Sequence, residues 1–232
     1  MPRESFQREL DQVVADVIAL GREIDASLAT MTDALETHDA EVASGQLGVD
    51  QHFKERGAEI DEERLVLQAR QAPVARDLRL IYTVQAVTNH LVRAGTLCEH
   101  ISQTIVETAD AERDAYLQGT LAEMARRARD LFREGLDVFE SRDIDRARDL
   151  EAADDRVDLL YTEAMNLVAN PDTNGGGSPE WRVRAALTVH YLERIADHGV
   201  DIGERTVFLV TGERMESAML QYRNRQLNED ED

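Results

Sequence analysis

Apolar residues recur at steps of three and four along almost the whole chain, and that period confines it to helices. In residues 5–38, Leu10, Val13, Val14, Val17, Ile18, Ile24, Leu28, Met31 and Leu35 fall on one face. Asp39 suits the N-cap of a second helix, with Glu41 in its first turn, running to about Arg70. Gly45, Gly48 and Gly57 predict a bend or weak packing within it. Pro73 fits the first helical position of a third helix, whose face is Leu78, Ile81, Val84, Val87, Leu91, Leu97 and Ile101 and which ends near Glu107. A fourth helix spans roughly Ala111 to Glu140, and a fifth runs from near Asp143 to before Asn170. The Gly-rich segment from Asn170 to Pro179 reads as a loop. Ser178, Pro179 and Glu180 then supply an N-cap, a first-turn proline and an acid for a sixth helix, which Thr211 and Gly212 close near Val210. Residues after Gln221 are polar and acidic and read as frayed.

Three matches in order divide the six helices into two similar halves. Glu36, Asp39 and Ala43 match Glu140, Asp143 and Ala147 around the first turn of each half. Ile60 and Asp61 match Val157 and Asp158. Leu91, Arg93 and Ile101 match Leu192, Arg194 and Ile202. The expected fold is all-α, two tandem three-helix bundles related by an internal repeat. The units are residues 1–109 and 110–213, followed by a polar acidic tail, 214–232. Aromatics at only 5% agree with helices rather than sheets.

Charge narrows the function classes. The net charge is −21, the pI is about 4.6, and Lys54 is the only lysine. Phosphates of nucleic acid and anionic membrane surfaces would both be repelled. An acidic, lysine-poor chain suits a salt-rich cytoplasm, so a halophilic source is expected. Cys98 is the only cysteine and sits among apolar helical neighbours, as packing rather than a nucleophile. Neither a membrane span nor the hydrophobic segment of a secretion signal stands out, and a cytoplasmic location is expected.

Chemistry concentrates in the sixth helix. Glu193, Asp197, Asp201 and Glu204 occupy an arc of roughly 80°. They flank a packed stripe of Val189, Leu192, Ala196, Gly199, Val200, Gly203 and Val207. On the fifth helix, Glu151, Asp154 and Asp158 flank a face of Leu150, Ala153, Val157, Leu160, Ala164 and Leu167. Two such helices packed together can converge four or five carboxylates, whose repulsion would reach several kcal/mol if dry and unneutralised. A bound hard cation would relieve it; the alternative is that both rows face water.

The paired three-helix units, the segment QAPVARDLRLI from Gln71 to Ile81, and YLERIADHGVDIGER from Tyr191 to Arg205 resemble the PhoU family of phosphate-uptake regulators. The resemblance runs from Phe6 to Gly212. It implies two three-helix bundles, multinuclear metal sites and negative regulation of phosphate uptake. It also implies contact with the ATPase subunit of a phosphate ABC transporter or with its signalling kinase, and a homodimer is expected. By position, Glu193 and Asp197 fall on the family's Glu-x-x-x-Asp motif, Asp201 is a companion one turn on, and Asp154 and Asp158 fall on the acidic motif of the preceding helix. The first repeat departs from the pattern: Val92, Thr96 and Gly57 replace Glu193, Asp197 and Asp154, and only Asp61 is kept.

Carboxylate ligands point to Fe, Mn, Mg or Ca, and less to Zn. His90 and His100 read as surface or hydrogen-bonded residues. His190 could join Glu193, whereas His198 points about 140° away from Glu193. Arg93 and Arg194 match between the repeats and suit ion pairs with a neighbouring helix. No phosphate-binding glycine loop or nucleophile–base pair occurs, so a regulator is preferred over an enzyme. A di-metal carboxylate oxidase or store would call for Glu-x-x-His, which this chain lacks. A metal-free scaffold is the third reading.

Overall fold

The capping residues set the helix boundaries. A computed structural model describes residues 3–213 apart from 72, 74 and 171–175. Its helices are α1 (Arg3–Thr37), α2 (Ala40–Ser44), α3 (Val49–Gln71), α4 (Ala75–Glu107), α5 (Ala115–Ser141), α6 (Ile144–Ala169) and α7 (Pro179–Thr211). No strand occurs among the described residues. The acidic tail and residues 171–175 of the Gly-rich loop lie outside them.

Asp39 and Asp143 cap α2 and α6 in the same way, each side chain accepting from two backbone N–H groups of the first turn. Each follows a residue in the left-handed region, His38 at φ 54° and Arg142 at φ 58°. The repeat is therefore reproduced in backbone conformation as well as in sequence. Ser178 accepts from Trp181 N–H with Pro179 behind it, and Gly212 ends α7 at φ 80°.

Three boundaries differ from the sequence reading. The expected second helix is two, α2 and α3, broken across Gly45–Gly48, where Gly48 takes φ 87°. Gly57, by contrast, continues α3 without a break. α4 starts at Ala75, leaving Pro73 outside the helix, and α5 starts at Ala115 rather than Ala111 because Asp114 takes the N-cap. The segment from Asp39 to Asp61 is seven residues longer than its counterpart from Asp143 to Asp158. The broken turn at Gly45–Gly48 accommodates that excess, whereas α6 is continuous.

α1, α3 and α4 pack as one three-helix unit and α5, α6 and α7 as the other. α4 lies on α7 and α1 on α5, so one apolar core runs through both. Burial of this core supplies most of the stabilisation. Pairing across α1 and α5 is antiparallel, from Arg22 with Asp137 and Glu140, through Asp25 with Arg129, to Glu36 with Arg126. Such partly exposed pairs contribute about 0–1 kcal/mol each and act mainly on register. At the centre of the second unit, the backbones of α5 and α7 touch. A Cβ on Gly135 would collide with the Gly199 carbonyl, and one on Gly199 would collide with the Leu131 carbonyl. That contact draws α7 inward and sets the depth of its acidic flank.

Candidate metal centre

The stripe of α7 is buried as its period requires, except that Val200 is half-buried. Along its margin Glu193, Asp197 and Asp201 are half-buried. Across the α6–α7 seam Asp154 is half-buried, while Asp158 and Glu151 are exposed.

The two rows face each other rather than away. Burial, then the charges of Asp197, Asp158 and Glu193, push the Asp154 carboxyl up to about 6. Burial and the Asp197 charge raise Glu193, with Asp158 adding to the effect. Burial and the Asp201 charge raise Asp197, again with a contribution from Asp158. Asp154, Asp158, Glu193 and Asp197 thus form one electrostatic group across the seam. Among the described residues, no arginine or lysine forms an ion pair with Asp154, Asp158 or Asp197. Arg194 acts on Glu193 and Asp197 only as a nearby charge that lowers them. His190 Nδ1 stands 3.6 Å from Glu193 Oε2. These carboxylates act on one another as charges without a paired cation, yet no three of them bring oxygens within 4.8 Å of one another, so the convergence expected from the sequence is only partial.

Asp201 faces a different neighbourhood. Its Oδ2 lies 3.3 Å from His90 Nδ1 of α4 and 3.8 Å from His198 Nδ1, besides acting as a charge on Asp197. Burial alone would raise the Asp201 carboxyl, but the His198 hydrogen bond and the charges of His90, His198 and Arg205 hold it below its ordinary range. His198 indeed points away from Glu193, and α4 supplies its partner. Sequence periodicity could not reveal this, because His90 and His198 lie on helices from different halves.

At the corresponding place in the first repeat the acidic group is missing. Gly57 packs against Val92, and a Cβ on Gly57 would fall 2.7 Å from Val92 Cγ2. The one retained acid, Asp61, accepts from Arg64 Nη2 at 2.6 Å and Nε at 2.9 Å, and Arg64 is buried. The position equivalent to Arg64, counted from Asp158, is Tyr161. The second group therefore has no such internal cation. His100 packs its ring against Tyr191 at 5.4 Å.

No helix among the described residues is long and apolar enough to cross a membrane. The PhoU domain family matches the chain twice, over residues 17–105 and 121–206. A phosphate-specific transport system accessory protein PhoU homolog of Clostridium acetobutylicum is 25% identical over 217 residues, covering 93% of this chain and 99% of its own. Homolog 1 of Mycobacterium tuberculosis (strain ATCC 25618 / H37Rv) is 31% identical over 162 residues, covering 67% of this chain and 70% of its own. Among solved structures, the phosphate transport system regulatory protein PhoU from Streptococcus pneumoniae superposes with a TM-score of 0.80 at 21% identity, covering 90% of this chain and 99% of that one. PhoU from Pseudomonas aeruginosa superposes with a TM-score of 0.75 at 24% identity, over 90% and 100%. With both halves matched and the three-helix unit repeated in the fold, the chain belongs to the PhoU domain family.

Proposed function

We propose that this protein is a cytoplasmic regulator of phosphate uptake and intracellular phosphate homeostasis. It restrains uptake through contact with the ATPase subunit of a phosphate ABC transporter or with its signalling kinase, and it works as a homodimer. The observation that carries this reading is the double family match, together with full-length relatives named as phosphate-specific transport system accessory proteins. The absence of a nucleophile–base pair in the sequence favours an adaptor over an enzyme.

Glu193, Asp197, Asp154 and Asp158 hold a divalent or trivalent hard cation in this reading, and Asp201, expected as their companion one turn on, is left out because its carboxylate lies against His90 and His198. Fe, Mn, Mg or Ca suits the donors better than Zn. The cation supplies the positive charge that the seam lacks. The chain's own part is to hold three half-buried carboxylates and the exposed Asp158 on two packed helices. Mutual elevation of Asp154, Glu193 and Asp197 supports this assignment. Confinement to the second repeat is supported by the Gly57–Val92 contact and the Asp61–Arg64 pair.

The test is a deletion strain assayed at high and low phosphate. Uptake should escape repression and intracellular phosphate should rise. Unchanged uptake at both levels would refute the regulatory reading and favour a scaffold.

A further inference from the structure

Where α4 crosses α7, three metal-competent atoms converge from helices of different repeats. His90 Nδ1 and His198 Nδ1 are 3.3 Å apart. Asp201 Oδ2 is 3.3 Å from the first and 3.8 Å from the second. A four-coordinate ion with bonds of about 2.0–2.2 Å sets its ligand atoms roughly 3.3–3.6 Å apart. Two edges of the triangle already meet that spacing, and the third needs a shift of a few tenths of an ångström.

The rings are held for such a role. His198 is only 7% exposed, and its Nε2 is buried without a hydrogen-bond partner among the described residues. The polar contacts of that ring therefore all lie at Nδ1, the atom aimed at the triangle. Ligation there leaves the proton on Nε2, the tautomer a neutral ligand requires. Side-chain exposures of 18% for His90 and 38% for Asp201 leave room for water as a fourth ligand.

Among the described residues the arrangement occurs once. α4 and α7 pair antiparallel, as His90 with His198, Thr104 with Thr188 and Glu107 with Arg184 demonstrate. The repeat shift that takes Leu91 to Leu192 takes His90 to Tyr191, Leu97 to His198 and His100 to Asp201. The pseudo-symmetric place thus holds Tyr191, Leu97 and His100, a ring contact with no carboxylate.

We propose that His90, His198 and Asp201 bind one borderline divalent cation of the Zn(II)/Co(II) class, with water completing the shell, at the joint between the two repeats. This site stands apart from the hard-cation group of Asp154, Asp158, Glu193 and Asp197. Its donors are two imidazoles and one carboxylate, and it ties α4 to α7 rather than α6 to α7.

The test is Co(II) titration of the full chain after chelator treatment, read by visible d–d absorption. One Co(II) per chain should give the intense band of a four- or five-coordinate imidazole site, bleached by one equivalent of Zn(II). H90A should remove the band with helicity unchanged, and H198Q should do the same. If H198Q fails to fold, the more exposed H90A decides alone. A D154N/E193Q variant should keep the band, which separates this site from the hard-cation group. A wild-type chain without the band, a band that survives H90A, or one lost in D154N/E193Q would overturn the assignment.

Discussion

Val92 fills the space beside Gly57 in the first repeat, where the second repeat sets Glu193 beside the seam with Asp154. The two positions are in contact, since a Cβ on Gly57 would approach Val92 Cγ2 to 2.7 Å. Gly57→Ala should therefore destabilise by about 1–3 kcal/mol through overpacking, beyond any gain in helix propensity. Val92→Ala should recover part of that loss when combined with it. Chemical denaturation of the two single variants and the double would show the coupling. Strictly additive effects would mean that the two side chains do not share the space.

Proton linkage provides a second check. Asp154, Glu193 and Asp197 have folded carboxyls raised above their ordinary values, Asp154 to about 6. The folded state therefore binds more protons than the unfolded one between about pH 4 and 6. In metal-free protein these groups make stability fall as pH rises through that window. Saturating Mn(II) or Mg(II) should flatten or reverse their effect, and hard-cation affinity should fall as pH drops below about 6. His90, lowered to about 4, acts in the opposite sense, costing stability as pH falls from about 6.5. The variant D154N isolates the carboxylate contribution in thermal melts at stepped pH, and an unchanged slope would reject it.

Hard-cation uptake should require the carboxylates that α7 contributes. Changing Glu193 and Asp197 together to Ala should abolish Mn(II) binding measured by calorimetry. Changing His90 and His100 to Ala should leave it nearly unaltered, because imidazole adds little for a hard ion. Mn(II) retained by the carboxylate variant and lost by the histidine variant would relocate the hard-cation site.

The net charge of −21 is spread over faces that are largely exposed. Added KCl should screen that repulsion and raise the melting temperature steeply. A melting temperature flat from low to molar salt would contradict adaptation to a salt-rich cytoplasm.

Cys98 is fully buried, and burial pushes its thiol up to about 12. It should react with a thiol reagent such as dithionitrobenzoate only at the rate of unfolding, and at once in denaturant. Prompt labelling of the native protein would show that α4 opens locally around it.

Most of the fold was determined by patterns local to the chain. Three-and-four spacing, the capping aspartates Asp39 and Asp143 and the Ser178–Pro179 start place the helices, because capping and amphipathicity act within a few residues. The two three-helix units follow from matches such as Asp61 with Asp158. Spacing also puts Glu193, Asp197 and Asp201 on one flank, since a helix fixes relative angles within itself. Gly45, Gly48 and Gly57 signalled a bend but not a full break at Gly45–Gly48, because several glycines shared one helical pattern and only one segment took the left-handed turn. Across helices the sequence is silent, for no periodicity encodes which flank meets which. The close backbone contact of Gly135 with Gly199 draws α5 and α7 together, and α6 then brings Asp154 into the field of Glu193 and Asp197. Likewise the antiparallel crossing of α4 on α7 decided that Asp201 faces His90 and His198, residues from separate repeats that only tertiary packing could bring within hydrogen-bonding reach.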